Sequence, residues 1–216
     1  MTLHDISVAA GPGTPEWPGD TPFRCEWSWA ITRGDSVNVA AFTTSPHVGT
    51  HADAPLHVRD GAASADELPL EPFVGRAYVC SVRARAGAHR LGEVELEDVA
   101  SLPSGRIERL LLRTGVSIAA GRFPERWPAL SVTAVRALLD RGLRLLGVDA
   151  PSVDARESKA LEVHHELFGR QAYNLENLDL AGIDDGAYEL LALPVKLRGL
   201  DAAPVRALLR ELTARD

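Results

Sequence analysis

The sequence predicts a single α/β domain, and three observations carry that prediction. Short runs rich in β-branched, aromatic and aliphatic residues recur from one end of the chain to the other, with stretches of helical apolar spacing between them. No internal repeat, low-complexity tract or linker divides the 216 residues, so residues 1–216 are expected to share one core. Gly and Pro fall between the periodic segments, where a compact fold puts its turns.

The opening to about Asp20 is rich in Pro and Gly and is expected to wrap over the surface. Residues 24–31 (RCEWSWAI) and 37–44 (VNVAAFTT) read as strands paired through the RGDS turn. Residues 76–82, 109–113, 144–148 and 189–195 are further strands. The run 131–139 (SVTAVRALL) starts on a Ser N-cap, spaces its apolar residues helically and stops near Gly142. Residues 204–212 have the same character, with Pro204 near the first turn. Strand order is not legible from this pattern, and helices on both faces of a mixed sheet are the coarse expectation.

A net charge of -7 argues against nucleic acid or an anionic membrane surface as partner. No apolar run approaches the roughly 18 residues needed to span a bilayer. The N-terminus lacks the basic and apolar regions of a signal peptide, so the cytoplasm is the expected compartment. Cys25 and Cys80 lie too far apart for a local metal or redox motif and are expected as two buried free thiols.

Residues 45–58, SPHVGTHADAPLHV, place His47, His51, Asp53 and His57 within eleven positions, three of only seven histidines in the chain. Isolated histidines are usually satisfied core or surface groups, but chance seldom supplies that density. Pro46 suits a first helical turn, which would set His47 and His51 one turn apart with their imidazoles converging. Gly49 permits close backbone approach, and Pro55 turns the chain out into a loop. Two imidazoles and a carboxylate make a competent site for a first-row divalent metal. His57 reads equally as a fourth ligand or as a base beside the metal.

Further donors lie downstream. Treated as a helix, residues 157–168 (ESKALEVHHELF) put Ala160, Leu161, Val163, Leu167 and Phe168 on one face, with His164 near its middle. His165 sits toward the edge, so His164 is the inward histidine, as a ligand or as a core residue. Glu176, in YNLENLDL, is either exposed or buried against a metal or a base. Trp17, beside Pro18 and Gly19, either fills a core gap or offers a flat apolar face to an aryl ligand.

HVGTHADAPLH resembles the H-x-G-T-H-x-D-x-P-x-H signature of the cyclase-family metal hydrolases. The likeness runs over nearly the whole chain: EWPGDTPF, SPHVGTHADAPLHV, GVDAPSVDARESK, VHHEL, LENL and YELLALPVKLRGLDAAPVRALL. WPGDTPF and the C-terminal block are closest to one branch, the bacterial kynurenine formamidases, or arylformamidases. The resemblance implies a β-barrel-like mixed sheet with surrounding helices, assembled as a homodimer. It implies that His47, His51, Asp53, His164 and Glu176 bind two divalent ions, with Asp53 bridging them. Zinc is the first expectation, although His/carboxylate sites also accept manganese, iron or cobalt. His57 corresponds to the catalytic acid/base and Trp17 to a residue that contacts substrate. The implied reaction is hydrolysis of N-formyl-L-kynurenine to L-kynurenine and formate in tryptophan degradation, by hydroxide formed at the metal. The alternatives are hydrolysis of another amide or an isatin-like lactam, and a metal-binding module without turnover.

Overall fold

The computed structural model describes residues 2–83 and 93–212. In chain order the elements are β1 (Leu3–Asp5), β2 (Arg24–Trp29), β3 (Val39–Thr43), β4 (His51–Asp53) and β5 (Val74–Ser81). They continue with β6 (Glu93–Val94), β7 (Arg109–Arg113), β8 (Ala129–Leu130), α1 (Val132–Asp140) and β9 (Leu145–Val148). The chain then forms α2 (Glu162–Gly169), β10 (Tyr173–Leu175), β11 (Gly186–Leu191), β12 (Ala202–Pro204) and β13 (Leu208–Glu211).

Seven strands make a curled mixed sheet in the order β1-β13-β11-β5-β7-β9-β10. The β5-β7-β9-β10 half is parallel and the β1-β13-β11-β5 half antiparallel. Its two faces bury different clusters, as the uninterrupted LLL of β7 requires of a strand covered on both sides. Leu110, Leu112, Leu146 and Val148 face one cluster with Ala134, Val135, Leu138 and Leu139 of α1 and Val163 and Leu167 of α2. Leu111, Leu145, Ala77 and Val79 face the other with Ala52 and Ala54 around β4 and Ala203 of β12. The expected helix on each face is therefore corrected: both helices pack mainly on one face, with only Phe168 of α2 joining the other cluster, which the small antiparallel β4–β12 pair covers. Its alanines let it approach closely.

The strands expected at 24–31 and 37–44 form the β2–β3 hairpin, and those at 76–82, 109–113 and 144–148 form β5, β7 and β9. The expected 189–195 strand is β11, which begins and ends earlier. Helix α1 starts where the capping residue predicts, with Ser131 Oγ accepting from Ala134 N at 3.0 Å.

The expected helix at 204–212 is wrong. Pro204 pairs with His51, and Leu208–Glu211 lies between β1 and β11, which supply ladder partners on both edges. The Leu and Arg spacing there fits either period, and the two waiting strands decide it. Residues 3–5, assigned to a surface wrap, form the sheet's edge strand β1. Cys25 is exposed rather than buried, because both strands of the β2–β3 hairpin are exposed along their length; Cys80 is buried. Burial pushes the Cys80 thiol up to about 11.

Gly147 of β9 lies where a Cβ would clash with Leu111 Cδ2 and meet Leu178 Cδ1 at 2.8 Å, both in fully buried side chains. Gly147→Ala is expected to lower stability by about 1–3 kcal/mol through overpacking, measured by urea unfolding. An unchanged midpoint would show that the two leucines repack without cost.

Candidate metal centre

His51 and Asp53 occupy alternate positions of β4, so both side chains leave the strand on one face, away from the buried alanines. The same alternation on and after β10 sends Tyr173 and Leu175 into the core and Asn174 and Glu176 toward Asp53. Reciprocal backbone bonds clasp the two segments: His51 N donates to Glu176 O at 3.3 Å and Glu176 N to His51 O at 3.0 Å. His47 does not reach the cluster from a helical turn as expected. Residues 46–50 form turns in which Gly49 takes φ +79°, and a Cβ there would sit 3.1 Å from Val8 O. The convergence of the two imidazoles survives this difference, with His47 Nδ1 3.1 Å from His51 Nε2.

His164 arrives from the first turn of α2, which begins at Glu162 rather than near residue 157. The start is set by Asp154, whose carboxylate accepts from the backbone N–H groups of Val163 and His164 at 3.0 and 3.1 Å. Leu161, just before the helix, is held at φ 45°, a costly conformation for leucine. Val163, His164, Leu167 and Phe168 are buried and His165 is exposed, as the helical face predicts.

The five expected ligands come together. Asp53 Oδ1 lies 3.1 Å from His47 Nδ1 and 3.3 Å from His51 Nε2. Asp53 Oδ2 lies 3.1 Å from His164 Nε2 and accepts from Asn174 Nδ2 at 2.6 Å. Glu176 approaches His51 Nε2 at 3.5 Å and His164 Nε2 at 3.4 Å, and accepts from Val153 N at 2.9 Å. Each imidazole is also tied on its outer nitrogen: His51 Nδ1 donates to Gly49 O at 3.0 Å, His164 Nδ1 to Asp154 Oδ2 at 2.6 Å, and His47 Nε2 to Asp201 Oδ2 at 3.0 Å. Once an imidazole is neutral, its outer acceptor selects the tautomer whose inner nitrogen presents a lone pair to the centre, as a ligating histidine requires.

The donor set fits a divalent metal. Asp53 is wholly buried, and its Oδ1 has no hydrogen-bond donor, although two imidazole nitrogens stand within ion-pair distance. Ligand atoms of His51, Asp53 and Glu176 lie within 4.8 Å of one another, as do those of His47, Asp53 and His57. Asp53 belongs to both groups.

The electrostatics favour positive charge at this place. Burial would lower the imidazoles of His47 and His51, but Asp201 and Asp53 raise the first to about 9, and Asp53 and Glu176 raise the second to about 10. Burial would raise the carboxyls of Asp53 and Glu176. The facing histidines instead hold Asp53 well below the usual carboxylate range and Glu176 at about 2.

A cleft of about 310 Å³ opens on the cluster, with His47, His51, His57, His164 and Glu176 in its floor and wall. Pro15, Trp17, Phe123, Pro151 and Leu161 supply an apolar side. Trp17 is 40% exposed and packs edge-on against Phe123 and Trp127 at 5.3 and 5.8 Å, so it faces the cleft rather than filling the core. His57 sits at the rim, its ring 4.5 Å from that of His47. Asp154, Asn174 and Asp201 were missed by the sequence reading. Asn174 alone carried a local signal, its two-residue spacing from Glu176.

Residues 4–155 match the Cyclase family model. A kynurenine formamidase of Bordetella pertussis is 42% identical over 210 residues, covering 97% of this chain and 98% of that protein. A solved structure described as a potential metal-dependent hydrolase with cyclase activity has a TM-score of 0.79 at 26% identity, covering 98% of this chain and 99% of that one. Isatin hydrolase A of Labrenzia aggregata, solved with benzyl benzoate, has a TM-score of 0.76 at 24% identity over 96% of this chain and 93% of that one, a likeness of fold.

With His47 and His51 raised to about 9 and about 10, both imidazoles carry protons at neutral pH until a cation displaces them. Zinc binding to metal-free protein is therefore expected to release protons and to strengthen from about pH 6 to about pH 9. Calorimetric titration in buffers of different ionisation enthalpy measures the release. Binding with no proton exchanged would mean that these imidazoles are not the ligands.

Proposed function

The chain belongs to the cyclase family, and on that premise we propose that it is an arylformamidase. Its substrate is N-formyl-L-kynurenine and its products are L-kynurenine and formate, a step of tryptophan degradation in the cytoplasm. The observation that carries this reading is the junction, in one cleft, of a His/carboxylate cluster able to hold a metal with an apolar, partly aromatic wall. The near-full-length likeness to a formamidase supports the same substrate over an isatin-like lactam.

His47, His51, Asp53, His164 and Glu176 would hold two divalent ions, zinc first among the candidates, with Asp53 shared between them. When bound, such ions supply water of lowered pKa and a Lewis acid for the formyl oxygen. The chain's own residues do the rest. Trp17 and Phe123 receive the anilide ring on the apolar wall. His57, at the mouth of the cleft, gives a proton to the anilide nitrogen as the C–N bond breaks and its electron pair moves to nitrogen. The oxygen of water ends on the formyl carbon, so formate and the free aryl amine leave. Acid–base help of this kind is worth about 10²–10⁴ in rate.

The same reading includes a homodimer, and the β2–β3 hairpin suits its interface. Trp27, Trp29, Ile31, Val39 and Phe42 are 40–68% exposed there. A two-stranded hairpin so apolar on its surface gains from a partner, and a second copy offers a matching hairpin.

Chelation is expected to abolish hydrolysis of N-formyl-L-kynurenine, and added zinc or manganese to restore it; a fully metallated protein inert on this substrate but active on cyclic amides would sink the formamidase reading. His57→Ala is expected to keep its metal and lose about 10²-fold or more in kcat. Metal loss in that variant would make His57 a ligand. Glu176→Ala should lower the metal-to-protein ratio, and a ratio equal to wild type would remove Glu176 from the ligand set. Trp27→Glu with Phe42→Glu is expected to move the protein to monomer mass in light scattering.

A further inference from the structure

One oxygen, Asp201 Oδ2, lies 3.0 Å from His47 Nε2 and 3.2 Å from His57 Nδ1. The two imidazoles it touches have different tasks under the reading above, one a metal ligand and the other the acid–base group. Asp201 is itself held in place by main chain. Its carbonyl accepts from Ala54 N at 2.8 Å, directly after β4, and the carbonyl of neighbouring Leu200 accepts from Ala65 N at 2.8 Å. Ala202 pairs with Asp53, so the carboxylate projects from the start of β12 over the end of the strand that carries the ligands.

The chemistry of the contact is directional. A carboxylate at Nδ1 accepts only from a protonated nitrogen, so His57 is locked with its proton donor toward Asp201 and Nε2 toward the cleft. No other hydrogen bond to the His57 ring is formed among the described residues. Without Asp201, the ring at this exposed rim would be free to rotate and to take the other tautomer.

We propose that Asp201 is a positioning residue, whose single carboxylate oxygen fixes the tautomer and orientation of His57 and links it rigidly to the ligand His47. This rests on His57 being the acid–base group. Asp201 meets the expected ligands only at the outer nitrogen of His47 and does not line the cleft, so it acts through the two histidines and not on substrate.

The test measures kcat, KM and bound metal per chain for wild type, Asp201→Asn, Asp201→Glu, His57→Ala and the Asp201→Asn/His57→Ala double variant, with N-formyl-L-kynurenine as substrate. The Asp201 side chain is 41% exposed, so its replacement leaves the core intact. Asp201→Asn is expected to lower kcat about 10–100-fold, with KM within about twofold and metal content unchanged, the usual size for removing such a partner. In the His57→Ala background the same change should cost less than about twofold, because the group it positions is gone. Asp201→Glu, which keeps a carboxylate, should recover part of the loss. Equal cost in both backgrounds, metal loss in Asp201→Asn, or its full turnover would each overturn the proposal while leaving the acid–base reading standing. Full turnover by His57→Ala would sink that reading, and the proposal with it.

Discussion

The charge of Asp53 is the constraint around which the molecule is arranged. A lone carboxylate taken wholly out of water costs several kcal/mol, and Asp53 has no exposed surface at all. It is tolerable only because His47, His51, His164 and Asn174 all converge on it. Those groups come from a turn, a strand, a helix and a second strand, so the folded chain as a whole must be in place before the charge is balanced. Replacing any one partner unbalances the rest, which ties the integrity of the centre to the integrity of the fold.

The fold meets that demand with small residues. Ala52, Ala54 and Ala203 let the β4–β12 pair lie close against the sheet, and Gly147 makes room for Leu178 just beyond Glu176. The donors then project from the opposite side of β4 and β10, where alternation has already separated them from the apolar side chains. Asp154 does two tasks at once. It starts α2 at the residue that puts His164 inward, and it holds the His164 ring by Nδ1. The strained Leu161 that this start requires lines the cleft, so the cost falls where the substrate would bind.

What was legible in the sequence was local. The histidine spacing, the Ser131 cap, the LLL strand and the inward face of His164 each follow from neighbours a few residues away. The wrong helix at 204–212 and the wrong helical turn at His47 share one cause. The apolar spacing of the first and the Pro46 and four-residue histidine spacing of the second each fit more than one local structure, and partners distant in sequence choose: β1 and β11 for the first, the backbone of residues 8–10 against Gly49 for the second. Asp154 and Asp201 stayed hidden for a related reason. An aspartate in a loop is ordinarily a solvated turn residue, and only the folded chain shows that these two point at histidines 10 and 144 positions away.

The centre is graded from its buried floor to its open rim, and the grading separates two kinds of chemistry. Asp53, His51, His164 and Glu176 are almost sealed from solvent, where a fixed charge balance strengthens every electrostatic contact. The side chains of His57 and Asp201 are 30% and 41% exposed. In the acid–base role proposed for His57, a group that gives up a proton in each turnover would have to regain one from water, so it could not share the sealed floor. Yet an exposed imidazole loses the packing that would fix its ring. A carboxylate anchored by main-chain hydrogen bonds resolves that conflict, since it orients the ring by one directional contact and leaves the opposite nitrogen open to the cleft. His47, half in each zone and bonded to both Asp53 and Asp201, joins the two.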